Sequence, residues 1–200
     1  MRTPQSLLLS TRNPHKLREF ERLLAPAAID VVALPDDAVL PPEDGDTFAD
    51  NALPKARAAA QATGRVAIAD DSGIEAAALG GRPGVRSARF AGLDATDQGN
   101  LDKLMREAPV GSPLRYVCAL AYVDPGSGLE HVVFGYCRGR LSGEARGSGG
   151  FGYDPAFLPD GDYEGRTMAE LSDAEKDAIS HRAGAVAELL RWLAGTDTRG

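Results

Sequence analysis

Three stretches of the chain carry residue types that could act together. Ala69-Asp70-Asp71-Ser72-Gly73 sets two carboxylates and a hydroxyl at the end of an apolar run. Gly149-Gly150-Phe151-Gly152-Tyr153-Asp154-Pro155 is a glycine-rich turn bearing two aromatic rings. Ser180-His181-Arg182 places an imidazole beside a guanidinium, with Lys176 shortly upstream. Paired acids suit a divalent cation, a ring in a turn suits stacking, and clustered cations suit phosphate or carbonyl oxygens. Together they suit a nucleotide that carries several phosphates.

Each stretch also has a purely structural reading. Adjacent carboxylates repel unless a cation lies between them or one faces away. Mg2+ would relieve the repulsion, because it takes few protein carboxylates and completes its shell with substrate phosphates. Glu43 and Asp44, in an acidic loop, offer further oxygens. The alternative is a turn whose Asp side chains cap backbone N–H groups. Phe151 and Tyr153 either stack on a base, worth about 1–3 kcal/mol, or plug a core. Asp154 has the chemistry to accept a hydrogen bond from a ring N–H. Lys176, Ser180, His181 and Arg182 form either a donor cluster or a polar helix face. His15 and His131 lie outside any dense motif.

A fourth stretch, Ser10-Thr11-Arg12-Asn13-Pro14-His15-Lys16, reads as a strand-to-helix turn. Asn13 is a good N-cap and Pro14 suits the first helical position. Such a turn aims backbone N–H groups and the positive helix end at an anion, and Lys16 adds a full charge. The spacing is not that of a P-loop. Read structurally, Lys16 and Glu19 are a solvated surface pair.

The elements that must position these residues follow from periodicity. Leu7–Leu9 and Val31–Leu34 read as short strands, with a helix between them carrying Leu17, Phe20, Leu23 and Leu24 inward. Residues 35–46 read as a loop. Thr47-Phe48-Ala49-Asp50 resembles a capping box with Asp in place of Glu, and Gly64 is a natural helix stop. Pro54 predicts that this helix bends or starts later than Thr47. Val66–Ala69 is a strand, Gly80–Gly84 a loop and Thr96–Ala108 a helix. Tyr116–Val123 and Val132–Cys137 read as a hairpin around Asp124-Pro125-Gly126-Ser127-Gly128. Ser172-Asp173-Ala174-Glu175 is a capping box that opens a C-terminal helical region. Alternating helices and strands with a central hairpin give an α/β protein with a mixed sheet.

Composition narrows the function classes. The chain has 200 residues and a net charge of −7, so it lacks the broad basic surface that a nucleic-acid polymer requires. Its length suits one domain, residues 1–200, or two lobes sharing a core. Two cysteines, Cys118 and Cys137, do not make a disulfide framework and favour a reducing compartment. The stretch Met1–Ser6 precedes an apolar run too brief for a signal peptide, and no run approaches membrane length. The expectation is a cytoplasmic protein without membrane partners.

These residues resemble the inosine/xanthosine triphosphate pyrophosphatase family. The resemblance rests on Ser10–Lys16 with Glu19, Thr47–Ala52 with Lys55-Ala56, Ala69–Ile74, Gly81–Gly92, Gly149–Pro155, Ala169-Glu170-Leu171, and Glu175-Lys176 with Ile179–Arg182. It spans most of the chain. It implies hydrolysis of ITP, dITP and XTP to monophosphate and pyrophosphate, with Mg2+. It implies that Thr11, Asn13 and Lys16 bind phosphate, and that Ser72 contacts substrate. Asp71 would be metal ligand and proton acceptor, with Glu43 as the second metal carboxylate. Phe151, Gly152, Tyr153 and Asp154 would form the base loop, and Lys176, His181 and Arg182 would contact the purine. A mixed, twisted central sheet flanked by helices, two lobes with the active-site cleft between them, and a homodimer are also implied. Arg12 stands where a small residue is frequent, Asp50 where Glu is more usual, and Pro54 is unexpected. Two rivals remain: a Maf-like nucleotide pyrophosphatase and a nucleotide sensor that does not hydrolyse.

Overall fold

Leu7, Leu8 and Leu9 fill β1 (Ser6–Leu9) and are sealed from solvent. A strand that is apolar on both faces belongs inside a parallel sheet. β1 indeed pairs in parallel with β2 (Asp30–Ala33) and with β3 (Ala67–Ala76), Leu8 lying opposite Val32 and Ala67. The sheet has six strands in the order β2-β1-β3-β4-β5-β6. β4 (Pro113–Asp124) and β5 (Leu129–Leu141) are joined by the turn expected at 125–128, and β5 pairs antiparallel with β6 (Phe157–Pro159). The sheet is therefore mixed and flanked by helices, as the sequence predicts.

The computed structural model describes residues 4–197, apart from the side chains of 196 and 197; Met1, Arg2 and Thr3, part of the leader segment weighed above, lie outside the described residues. Among the described residues no helix is long and apolar enough to cross a membrane. Cys118 and Cys137 are buried free thiols, and burial pushes the Cys137 thiol up to about 12.

Local signals fix the helix ends. In α1 (Pro14–Leu24) the Asn13 Oδ1 accepts from the N–H of His15 at 2.8 Å and of Lys16 at 3.4 Å. α2 (Phe48–Thr63) opens on a reciprocal capping box of Thr47 and Asp50 and stops at Gly64, whose φ is 67°. The shorter Asp50 side chain thus closes the box as Glu would. α2 runs unbroken through Pro54, against the expectation of a later start. Its buried stripe of Ala52, Ala56, Ala59 and Ala60 supplies the packing that offsets one missing backbone bond. α3 (Asp97–Glu107) is capped by Thr96. The C-terminal helical region divides at Ser180, whose backbone is extended, into α4 (Asp173–Ile179) and α5 (His181–Asp197).

The chain forms two compact units. The first comprises residues up to Asp71, Cys118–Gly135 and Arg182 onward; the second comprises Ser72–Val117 and Tyr136–His181. The core of the first gathers Leu7, Phe20, Leu24, Ile68, Leu120 and Leu189. That of the second gathers Ile74, Leu101, Leu104, Tyr116, Phe157 and Met168.

β3 is longer than the apolar run that announces it. It continues through Asp70-Asp71-Ser72-Gly73, so the two acids sit inside a strand and not in the turn their types suggest. Gly73 is packed against the segment that follows: a Cβ there would stand 2.4 Å from Ser87 Oγ and 2.6 Å from the Gly84 carbonyl. Gly73→Ala is expected to lower stability by about 1–3 kcal/mol through overpacking, read as a drop in Tm against wild type.

Candidate active site

Neighbouring residues of a strand point to opposite faces. This separates Asp70 from Asp71 and gives them different surroundings. Asp70 is buried, and its Oδ2 meets Lys16 Nζ at 3.0 Å and Arg182 Nε at 3.3 Å. Its own carbonyl accepts from Lys55 Nζ at 2.8 Å. Burial works to raise the Asp70 pKa, but Lys16, Arg182 and Lys55 overcome it and hold the carboxyl well below its usual range. Arg182 Nη1 in turn donates to Glu19 Oε2 at 2.8 Å, and Glu19 is buried. Glu19 is thus an interior partner of Arg182, contrary to the solvated Lys16–Glu19 pair considered from sequence.

Asp71 goes the other way. Burial raises its pKa, with Glu43 adding to the rise, while Lys55, the Asn51 hydrogen bond and Lys16 act against it. The net shift is upward. Asn51 Nδ2 donates to Asp71 Oδ2 at 2.9 Å, and Asn51 Oδ1 accepts from Gly45 N at 2.8 Å. Lys55 Nζ also pairs with Glu43, whose side chain is 41% exposed. Although burial disfavours its charge, Asp70, Glu43 and Asp71 raise the Lys55 pKa, so it stays protonated. Two acids one residue apart with pKa values driven in opposite directions is the pattern of a divided acid–base site.

Among the described residues no group of three or more His, Cys, Asp or Glu is arranged to hold a metal ion. Glu43 and Asp71 are two hard oxygen donors that bear on each other electrostatically. That donor set fits Mg2+, which binds through one or two carboxylates together with substrate phosphates.

At the strand-to-helix turn, Thr11 Oγ1 accepts from Asn13 N at 3.2 Å while the Asn13 side chain caps α1. The Arg12 guanidinium turns to the loop after β2, donating to the carbonyls of Pro35, Asp36 and Ala38 at 2.8, 2.9 and 2.9 Å. Its charge pins that loop. Ser72 is half-buried in β3, next to Asp71.

In the second unit the glycine-rich loop is held by Asp154. Its Oδ2 accepts from Lys176 Nζ at 2.7 Å and from Phe151 N at 3.0 Å, and its Oδ1 accepts from Tyr116 Oη at 2.9 Å. Asp154 therefore holds the loop backbone and Lys176 together. The Tyr153 ring lies in the core and its hydroxyl donates to Ser87 O at 2.7 Å, as in the packing alternative for this residue. Phe151 is half-buried, with Lys176 Nζ 5.2 Å from its ring centroid. Gly152 has φ 64° and donates its N–H to Asp97 Oδ2 at 3.0 Å. His181 is buried and stacks on Tyr116 with ring centroids 4.7 Å apart.

Lys176 and His181 thus fall with Phe151 in one unit, and Arg182 falls in the other with Asp70 and Glu19. Residues adjacent on a helix do not share a face, so the His181-Arg182 pair divides at the start of α5. Sequence reasoning left Lys55, Asn51 and Glu19 out of the site. Lys55 and Asn51 had a readable signal: they lie along the alanine stripe of α2, where a solvated side chain does not belong.

A helix start beside clustered cations suits an anionic ligand such as a phosphate. Comparisons narrow the class. The model for the Ham1 family matches residues 7–192. A dITP/XTP pyrophosphatase of Geobacillus kaustophilus is 47% identical over 193 residues, covering 92% of each chain. One of Mycobacterium tuberculosis is 50% identical over 196 residues, covering 94% of each. A HAM1 protein structure from Coxiella burnetii superposes with a TM-score of 0.83 at 36% identity, covering 95% of this chain and 98% of that one. The Staphylococcus aureus Ham1 structure gives 0.79 at 34% identity, with 96% and 99% covered. The chain belongs to the Ham1 family.

The Asp70 cluster has a pH signature. A carboxyl whose pKa is lower in the folded chain stabilises fully above its unfolded value, about 4, and loses that contribution as pH falls below it. Asp70→Asn is expected to cost about 3–5 kcal/mol near neutrality, because Arg182 and Lys16 lose their buried counter-charge. The deficit should shrink as pH is lowered below about 4 in denaturant titrations of both proteins.

Proposed function

We propose that this chain hydrolyses the non-standard purine nucleoside triphosphates ITP, dITP and XTP to the monophosphate and pyrophosphate. It is a nucleoside triphosphate pyrophosphatase. The observation that carries this reading is the division between Asp70, buried against Lys16 and Arg182, and the adjacent Asp71, which turns instead to Asn51. Relatives of nearly full-length match that bear the name dITP/XTP pyrophosphatase support the substrate class.

In this reading Thr11, Asn13, Lys16 and the N-terminus of α1 receive the phosphate tail, since the unpaired N–H groups of a helix start favour anions. Asp71 and Glu43 would hold Mg2+, which when bound neutralises charge on phosphate oxygens. Asp71 orients a water and accepts its proton as the water attacks the α-phosphorus. Asn51 fixes the Asp71 carboxylate, and Lys55 keeps positive charge beside it. Pyrophosphate leaves.

Base selection follows from donor polarity. Phe151 offers a stacking face, and Lys176 presents an ammonium beside it. A charged amine can only donate, and His181 adds a further ring N–H. The 6-carbonyl of hypoxanthine or xanthine accepts from such groups, whereas the 6-amino group of adenine opposes them. Each buried mismatch costs about 1–3 kcal/mol. The reading further includes Ser72 as a substrate contact, a cytoplasmic location and a homodimer, the last testable by mass measurement in solution.

Incubation with ITP, XTP, dTTP and ATP, with Mg2+ and after chelation, should yield IMP and pyrophosphate from ITP in the presence of Mg2+ only. Comparable kcat/KM for ATP and ITP would defeat the assignment, and dTMP as the main product would favour the Maf-like rival. Asp71→Asn should cut kcat by about 10²–10⁴ while leaving the fold intact.

A further inference from the structure

Tyr116 enters none of the roles above, yet it touches both sides of the base-reading group. It lies in β4, buried, with its ring 4.7 Å from Phe157 at 45° and 4.7 Å from His181 at 8°. Its hydroxyl donates to Asp154 Oδ1 at 2.9 Å. The other oxygen of that carboxylate holds Lys176 Nζ at 2.7 Å and Phe151 N at 3.0 Å. One side chain therefore aligns an imidazole by stacking and steadies, through a single carboxylate, both the ammonium and the backbone that carries Phe151.

The space around this carboxylate is closed. A Cβ on Gly150 would stand 2.0 Å from Asp154 Oδ2 and 3.0 Å from Lys176 Nζ. The loop backbone lies directly on the ion pair, so a rotation of the Asp154 carboxylate would move Lys176 and the loop together. The Tyr116 hydroxyl holds the oxygen that would otherwise be free to swing. The same ring is buried against both His181 and Phe157, which limits its turning.

We propose that Tyr116 is a specificity-determining positioning residue: it sets the mutual placement of His181, Lys176 and Phe151 and thereby the preference for a 6-keto purine. This rests on the base-reading role given above to those three residues. Tyr116 itself does not touch the base. It acts through the imidazole on one side and the carboxylate on the other.

Two variants divide these contacts. Tyr116→Phe keeps the ring between His181 and Phe157 and removes only the hydroxyl. Tyr116→Leu removes both contacts. Steady-state kinetics with ITP, GTP and ATP on the full chain, with Tm and the ring-proton NMR shifts of His181, supply the readouts. In Y116F, KM for ITP should rise about tenfold with kcat within about twofold, and the ITP-to-ATP ratio of kcat/KM should fall about tenfold, the size expected for one lost hydrogen bond to a charged group. The ring-current shift of His181 should survive in Y116F and vanish in Y116L, with a further loss of discrimination.

A Y116F enzyme that keeps both the wild-type KM and the wild-type ratio overturns the proposal. So does one in which kcat, KM and Tm deteriorate while the ratio holds, since that is the behaviour of a core residue alone. Wild-type enzyme showing no preference for ITP over ATP would overturn this proposal together with the proposed function. Wild-type preference with an unchanged Y116F ratio overturns the Tyr116 role only.

Discussion

A carboxylate sealed from water persists as an anion only when cations close around it, and Asp70 imposes that requirement on the first unit. Lys16 comes from α1, Lys55 from α2 and Arg182 from α5. Three helices are tied to one strand by one side chain and its carbonyl. Buried ion clusters give little net stability compared with apolar packing. Their effect here is geometric: each cation must stand where Asp70 needs it, and the helix carrying it follows. Glu19 extends the constraint by holding the far side of Arg182.

Asp71 has its character chiefly because it is buried and its charge is only partly compensated. The two carboxyls share a strand and differ by one residue, so pleating alone sends them to different neighbours. What reaches Asp71 is an amide from Asn51 and the charges of Lys55 and Lys16, set against burial and the like charge of Glu43. The balance leaves it easier to protonate than a free aspartate. The second unit repeats the device: Asp154 and Lys176, both buried, fix a loop that glycine lets approach them closely. In each unit an interior ion pair holds the geometry.

Much of the fold was legible because its signals are local. The Asn13 cap, the Thr47–Asp50 box, the Gly64 stop and the Ser172–Glu175 box each depend on residues within one turn, and all close as read. The hairpin at 125–128 is equally local. The readings that changed depend on distant partners. Asp70-Asp71-Ser72-Gly73 has the composition of a turn and lies in a strand, because its polar side chains meet partners far away in the chain. Pro54 marks a helix end by propensity and sits inside α2, because packing of the alanine face outweighs one absent bond. Ser180 divides the last helical region without a proline or glycine to announce it.

The sequence by itself determined which residue types are available for chemistry: the acid pair, the glycine-rich loop with Phe151, the capped turn before α1 and the cations near the start of α5. It determined most of the order of strands and helices too, though not β6 or the break at Ser180, since periodicity and caps are properties of short segments. Only the tertiary structure decided which acid is surrounded by cations and which turns to Asn51, and that Arg182 joins Asp70 while His181 joins Tyr116. It likewise decided that Asp154 bonds Lys176, Phe151 and Tyr116 and that Tyr153 reaches Ser87. The reason is physical: side-chain direction and burial set charge states and partners, and both arise from elements brought together across long separations in the chain.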